Sequence, residues 1–255
     1  MDERPVHTGD PTLEYSRQWE LVGQMMRTRG MNLPNNYLVV DIETTGLSAT
    51  RDTILQIGIL QCLDGEVKRN FGVFIQTPED TLQQYENSDY VRGKIAEGNE
   101  GFIKAADVRQ FGVPRSQLVP MFRDLVDRML DIPDSVIVGH NLVKFDIPFI
   151  EYFTKSIGIP VVFPRERVFD TGAMYKANKL GMLPAEGQNM WEFFLRVANT
   201  RARGVKWNLG TACQELGLEE KHNLSLDAAH DASADVLFTH YVYQAIRDRS
   251  LRGAA

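Results

Sequence analysis

Tyr37-Leu-Val-Val-Asp41-Ile42-Glu43-Thr44-Thr45-Gly46 is the stretch that decides the fold. Four apolar or aromatic residues lead, in the manner of a buried strand, straight into a carboxylate. Side chains alternate along a strand, so Asp41 and Glu43, two apart, point to one side and can share a cation. Gly46 closes the stretch with a turn. Ahead of it, Asn32-Leu-Pro-Asn-Asn36 is a turn-rich joint, and residues 11–29 carry Tyr15, Trp19, Val22 and Met26 at the period of one helix face, with Gly30 as a stop. This predicts a helical extension over 1–35 and a domain over 36–250. Behind it, Thr53 to Leu60 and Val67 to Ile75 flank Asp64-Gly65, a strong short hairpin signal, so the first three strands form an antiparallel meander.

Further along, residues 116–130 read as a helix with Leu118, Phe122, Leu125, Val126 and Met129 on one face. Ser135 to Val138 is a short buried strand, and it runs into a second block, Asn141-x-x-x-Phe145-Asp146, at a strand-to-helix junction. Residues 143–157 are expected as a helix interrupted near Pro148, Val161 to Val168 as an edge strand weakened by Pro164, and Asp170-Thr171 as a helix start. Helices follow over Trp191 to Val197, Leu209 to Leu216 (closed by Gly217) and Ala228 to Ile246. The last carries a third block, His230-x-Ala232-x-x-Asp235. The class is α/β: a mixed five-stranded sheet, antiparallel meander then βαβ, flanked by helices.

The three blocks together read as a two-metal phosphodiester-cleaving site. That chemistry needs hard oxygen ligands holding two divalent ions about 3.5–4 Å apart, and Asp41, Glu43, Asp146 and Asp235 supply them. The formal charge of −6 does not oppose a polyanionic partner, because two Mg²⁺ at these four residues cancel four of the six excess negative charges. Cys62 and Cys213 lie far apart in the chain and join no ligand cluster, which favours a reducing compartment and two buried thiols. No apolar run suits a signal h-region or a membrane span, so a cytoplasmic protein with no membrane partner is expected.

In order and spacing the three blocks resemble the DEDDh branch of the DnaQ-like 3′–5′ exonucleases, an RNase H-like family that includes polymerase proofreading subunits, RNase T and oligoribonuclease. The resemblance spans residues 36 to 247. Asp-x-Glu alone is common; the three ordered blocks carry the specificity. It implies that Asp41 bridges two Mg²⁺ (or Mn²⁺), that Glu43, Asp146 and Asp235 complete the shell, and that His230 is the general base. Asp231 is a rival acid, and His140, His222 and His240 are rival histidines. The family pattern, an acid five after the histidine with alanine at two, fits only His230, Ala232 and Asp235. A tyrosine at the histidine's place would mark the sister branch.

The resemblance further places Thr44, Thr45, Asn141 and Phe145 at the substrate. A plain turn stands beside that reading for the threonines, and core packing beside base stacking for Phe145. His140 is read as structural or as a phosphate neighbour. Gln56 stands where several relatives carry glutamate, a change remote from the chemistry. The basic run Arg196, Arg201, Arg203 and Lys206, near Trp191 and Trp207, is expected to border the substrate path, a solvated helix face being the other reading.

The implied activity is release of nucleoside 5′-monophosphates from 3′ ends of single-stranded DNA or RNA. DNA and RNA are not distinguished, since that choice rests on contacts to the 2′-hydroxyl. Two other readings stand beside it: a proofreading subunit in a polymerase complex, and a non-catalytic nucleic-acid-binding module. The chain's stop at Ala255 favours a free-standing nuclease over the first, and the intact five-residue set argues against the second. A second copy of the chain, forming a homodimer, is the other protein partner considered.

Overall fold

The computed structural model describes residues 33–98, 101–224 and 231–252, of which residues 251 and 252 are described by their backbone alone. The expected helix over 11–29, and with it most of the 1–35 extension, lies outside the described residues. So does His230.

Three antiparallel strands open the domain: β1 (Tyr37–Thr44), β2 (Ile54–Leu63) and β3 (Glu66–Phe74). Asp64 and Gly65 join β2 to β3 with φ of 54° and 83°. Positive φ at both central residues is the two-residue hairpin geometry that the Asp-Gly pair signals. Three short helices follow, α1 (Glu79–Glu86), α2 (Asp89–Ala96) and α3 (Ala105–Phe111), then the long α4 (Arg115–Leu130).

β4 (Val136–Gly139) pairs parallel with β1, and β5 (Val168–Asp170) pairs parallel with β4, giving the sheet order β3-β2-β1-β4-β5. Between them lies α5 (Asp146–Ser156), and after β5 come α6 (Thr171–Lys179), α7 (Met190–Asn199), α8 (Leu209–Glu215), α9 (Leu218–His222) and α10 (Ala232–Arg252). α10 lies across β1, β2, β3 and β4. β1 sits mid-sheet with Tyr37 to Val40 almost fully buried. The mixed five-stranded α/β architecture expected from the sequence is therefore present. No helix among the described residues is long and apolar enough to cross a membrane.

Two expectations need correction. Val161 to Val168 is not a strand: Val161, Phe163 and Val168 are buried, but Pro164 opens a short 3-10 turn, and pairing with β4 begins only at Val168. Proline cannot donate to a ladder, so an alternating pattern here packs without pairing. Pro148 does not interrupt a helix either. It is the third residue of α5, where the backbone N–H has no intrahelical acceptor in any case.

Candidate active site

β1 delivers Asp41 and Glu43 to one edge of its carboxyl-terminal half, and the ladder slips between Glu43 and Thr44, so the chain leaves the sheet there. α10 delivers Asp235 one turn from its start, and its position is set by close contact with β2. A Cβ on Gly58 would stand 2.0 Å from the Ala232 carbonyl oxygen, so only glycine lets the helix start lie there. Beside it the buried Gln56 accepts a hydrogen bond from the Ala232 backbone N–H at 2.9 Å. Gln56 thus locks the helix that carries Asp235, a role its remoteness from the chemistry had hidden. Ala232 is fully buried against this seam, which explains the small residue there.

The result is a cluster: one carboxylate oxygen each from Asp41, Glu43 and Asp235 lie within 4.8 Å of one another. Hard oxygens at this spacing fit a divalent cation. Asp146, the first residue of α5, is 2% exposed and accepts a hydrogen bond from the Ile42 N–H at 3.1 Å, which ties α5 to the strand between the other two acids. Burial, followed by the charges of Asp146, Asp235, Glu43 and Asp231, holds the Asp41 carboxyl well above the usual carboxylate range. Burial and the same acidic neighbours push Glu43 up to about 8. Asp146 is raised well above its ordinary value by burial first, despite hydrogen bonds that favour its ionised form. A divalent cation bound among carboxyls so grouped would favour their ionised forms.

The rival groups have other duties. Asp231 caps α10: its carboxylate accepts from the Ser233 N–H at 2.8 Å and from the Ser233 hydroxyl. His140 is partly buried, bonded through Nδ1 to the Thr171 hydroxyl at 3.1 Å and through Nε2 to the Trp207 carbonyl at 3.0 Å, and desolvation pushes its pKa down to about 4. Of its two readings, the structural one holds. His240 is bonded to the Tyr37 hydroxyl at 2.9 Å, and His222 is stacked on Tyr241 with ring centroids 3.8 Å apart.

The Thr44 hydroxyl donates to the Gly46 carbonyl at 2.6 Å, and the Thr45 hydroxyl accepts from the Thr53 N–H at 3.0 Å. Both shape the turn. A Cβ on Gly46 would meet the Asp52 carboxylate at 2.6 Å. Phe145 packs partly buried on the core with its ring 4.9 Å from Phe149.

Asn141 adopts φ of 68°. Its N–H and that of Val143 donate to the fully buried Asp170 carboxylate, both at 3.0 Å, and Asp170 also caps α6 through the Ala173 N–H at 2.8 Å. Asp170 therefore holds the loop that presents Asn141 and Asp146. The sequence showed it only as a helix start; a carboxylate buried under several amides leaves no spacing signal.

No protein-family model matches the chain. A DNA polymerase III PolC-type of Latilactobacillus sakei subsp. sakei is 32% identical over 152 residues, 58% of this chain and 9% of that protein. A second, from Caldanaerobacter subterraneus subsp. tengcongensis, is 27% identical over 131 residues, 51% of this chain and 8% of the relative. The chain thus spans less than a tenth of the length of either relative.

Among solved structures, E. coli exonuclease I in complex with a dT13 oligonucleotide superposes with a TM-score of 0.55 at 19% identity, covering 86% of this chain and 42% of that one. The fold is RNase H-like, that of exonuclease I. A product-bound exonuclease I gives 0.53 at 17% identity, with 86% and 45% covered. The chain's acidic blocks resemble those of the DnaQ-like 3′–5′ exonucleases, and its fold superposes on exonuclease I.

Proposed function

We propose that the chain is a metal-dependent 3′–5′ exonuclease that releases nucleoside 5′-monophosphates from single-stranded ends. The observation that carries this is the meeting of Asp41, Glu43 and Asp235 within 4.8 Å, with buried Asp146 tethered to the strand beside them. Divalent cations, when bound, lower the pKa of water and offset charge on the leaving oxygen. In this reading Asp41, Glu43, Asp146 and Asp235 hold two Mg²⁺, or Mn²⁺ in their place. His230, where the resemblance places the general base, takes the proton from the attacking water. The Thr44–Gly46 turn, shaped by bonds of both threonine hydroxyls, grips the terminal nucleotide with its backbone amides and hydroxyls.

Exonuclease I has been solved with single-stranded DNA, which favours DNA over RNA as the substrate here. The PolC-type relatives favour a second reading in which the same chemistry serves a polymerase complex. The domain over residues 36–250 and a cytoplasmic location belong to the same proposal.

The test is side-by-side digestion of 5′-labelled single-stranded DNA and RNA, with Mg²⁺ and with EDTA. Stepwise shortening from the 3′ end in Mg²⁺, absent in EDTA, is expected. Robust degradation in EDTA overturns the metal-dependent reading.

A further inference from the structure

A cavity of about 290 Å³ is enclosed by residues 49–54, the start of α1, Arg115 at the head of α4, and the later turns of α5. Its wall is bonded to the Thr44–Gly46 turn. The Thr45 N–H donates to the Thr53 carbonyl at 2.9 Å, and the Thr53 N–H donates to the Thr45 hydroxyl at 3.0 Å. Arg115 donates through Nη2 to the Thr53 hydroxyl at 3.2 Å. Thr53 is therefore shared by the turn and by the Arg115 guanidinium.

Arg115 is a cation without an anion. Its guanidinium carries five N–H donors, and the Thr53 hydroxyl is the one acceptor it has among the described residues. The residue is half-buried, with its guanidinium 5.2 Å from the centre of the Phe153 ring, a stack that braces the fork. Desolvation draws its pKa down, and no acid acts against that. The cavity's one carboxylate, Asp52, accepts from the Ser48 N–H at 2.8 Å and so serves the loop. Arg51 lines the same cavity, exposed and with no ion pair among the described residues. Two cations against one engaged acid give a positive cavity on a chain of formal charge −6. Tyr152, 48% exposed, adds a ring to the wall. The volume is at the small end of ligand sites, about 300–1,000 Å³, and the paired donors of an arginine match the oxygens of a phosphate.

We propose that this cavity is a phosphate subsite for a nucleotide, in which Arg115 grips two phosphate oxygens and Arg51 adds charge from the exposed side. The phosphate belongs either to the backbone of a bound strand or to a free nucleotide, since both present the same oxygens. None of the four clustered acids lines the cavity, so the subsite goes beyond the nuclease reading and does not rest on it. Its occupant adjoins the turn through Thr53.

The experiment is calorimetric titration in EDTA, where no metal draws phosphate to the acidic cluster. Wild type, Arg115→Gln, Arg115→Lys and Arg51→Ala are each titrated with dTMP, inorganic phosphate and thymidine, and their melting is compared. The wild type is expected to bind dTMP and phosphate with Kd in the millimolar range or tighter, and thymidine more weakly. Arg115→Gln should weaken dTMP roughly 10- to 100-fold, the worth of hydrogen bonds to a charged group. Arg115→Lys keeps the charge and loses the fork, so its loss should be smaller, and that of Arg51→Ala smaller still. Should Arg115→Gln not fold, Arg115→Lys decides in its place. A wild type that binds neither dTMP nor phosphate, thymidine matching dTMP, or unchanged dTMP affinity in the folded Arg115 variant overturns the subsite. Digestion of a 5′-labelled single-stranded oligonucleotide in Mg²⁺ then separates the two sources. A KM raised in Arg115→Gln assigns the phosphate to the strand, and an unchanged KM assigns it to a free nucleotide. If the wild type leaves that strand intact, the nuclease reading falls while the titration still decides the subsite.

Discussion

In the proposed mechanism His230→Ala removes the proton acceptor and none of the four acids, so kcat is expected to fall roughly 10²- to 10⁴-fold with substrate binding little changed. The wild-type rate should rise with pH through the imidazole pKa. A pH–rate profile checks both, and a near-wild-type rate for the variant at saturating metal and substrate moves the base elsewhere.

Gly58→Ala tests the other half of the site's construction. Its methyl would meet the Ala232 carbonyl at 2.0 Å, so α10 must shift. Overpacking of this kind costs about 1–3 kcal/mol, and the shift also carries Asp235 away from Asp41 and Glu43. Chemical denaturation and a metal titration should therefore both show a loss. Stability lost with metal affinity intact would place Asp235 outside the metal shell.

Asp41 and Glu43 were legible because strand alternation puts them on one side; Asp146 and Asp235 were legible through the resemblance of their blocks to a known family. Gly58, Gln56 and Asp170 were not, because what they do is approach or hold backbone that is remote in sequence.

At the scale of elements, long periodic segments were readable and short ones were not. β1 and β2 are long buried apolar runs, and α4 buries enough residues to show its period. α1, α2 and α3 are seven or eight residues long and bury one or two apiece, too few to form a pattern against a polar background.

The basic run also changes in part. Arg196 donates to the Leu183 carbonyl at 2.6 Å and to Gln188 at 3.1 Å, and Trp191 lies under Arg165 at 4.3 Å, so neither is spare. Arg201, Arg203 and Lys206 remain exposed, and the adjoining Trp207 is joined to the site loop by its carbonyl bond to His140. Replacing Arg201 and Arg203 with Ala is expected to weaken binding of long single strands, with a salt slope flatter by about 0.7 for each phosphate left without its cation. Dinucleotide cleavage should stay nearly intact. Unchanged affinity and slope for a long strand make the segment ordinary surface.

For the whole molecule, the acidic cluster sets a conflict between fold and charge that a cation resolves. Glu43 titrates near 8 in the fold, and Asp41 and Asp146 are also raised. A carboxyl whose folded pKa is raised holds its proton after the unfolded chain has lost it. Stability therefore falls as pH rises from the ordinary carboxylate range, about 4, through the folded value. His140 and His240, both pushed down to about 4, work the other way: the unfolded chain takes up protons below about 6.5 and the fold does not, so stability falls as pH drops from there.

From about pH 7.5, a unit above the ordinary imidazole value, to about pH 8.5, His140 and His240 are neutral in both states, and the raised carboxyls dominate the slope. In EDTA, the melting temperature is expected to fall across this window in the wild type and to fall less in Asp41→Asn, which should melt higher than the wild type at pH 8. With Mg²⁺ the order should reverse. Binding to the folded state alone contributes about 2.7 kcal/mol at a hundred times Kd, a rise of several degrees for a chain of this size, and Asp41→Asn should lose most of it along with activity. Scanning calorimetry of both proteins, with and without Mg²⁺, checks all four cases. A variant that gains as much from Mg²⁺ as the wild type removes Asp41 from the metal site.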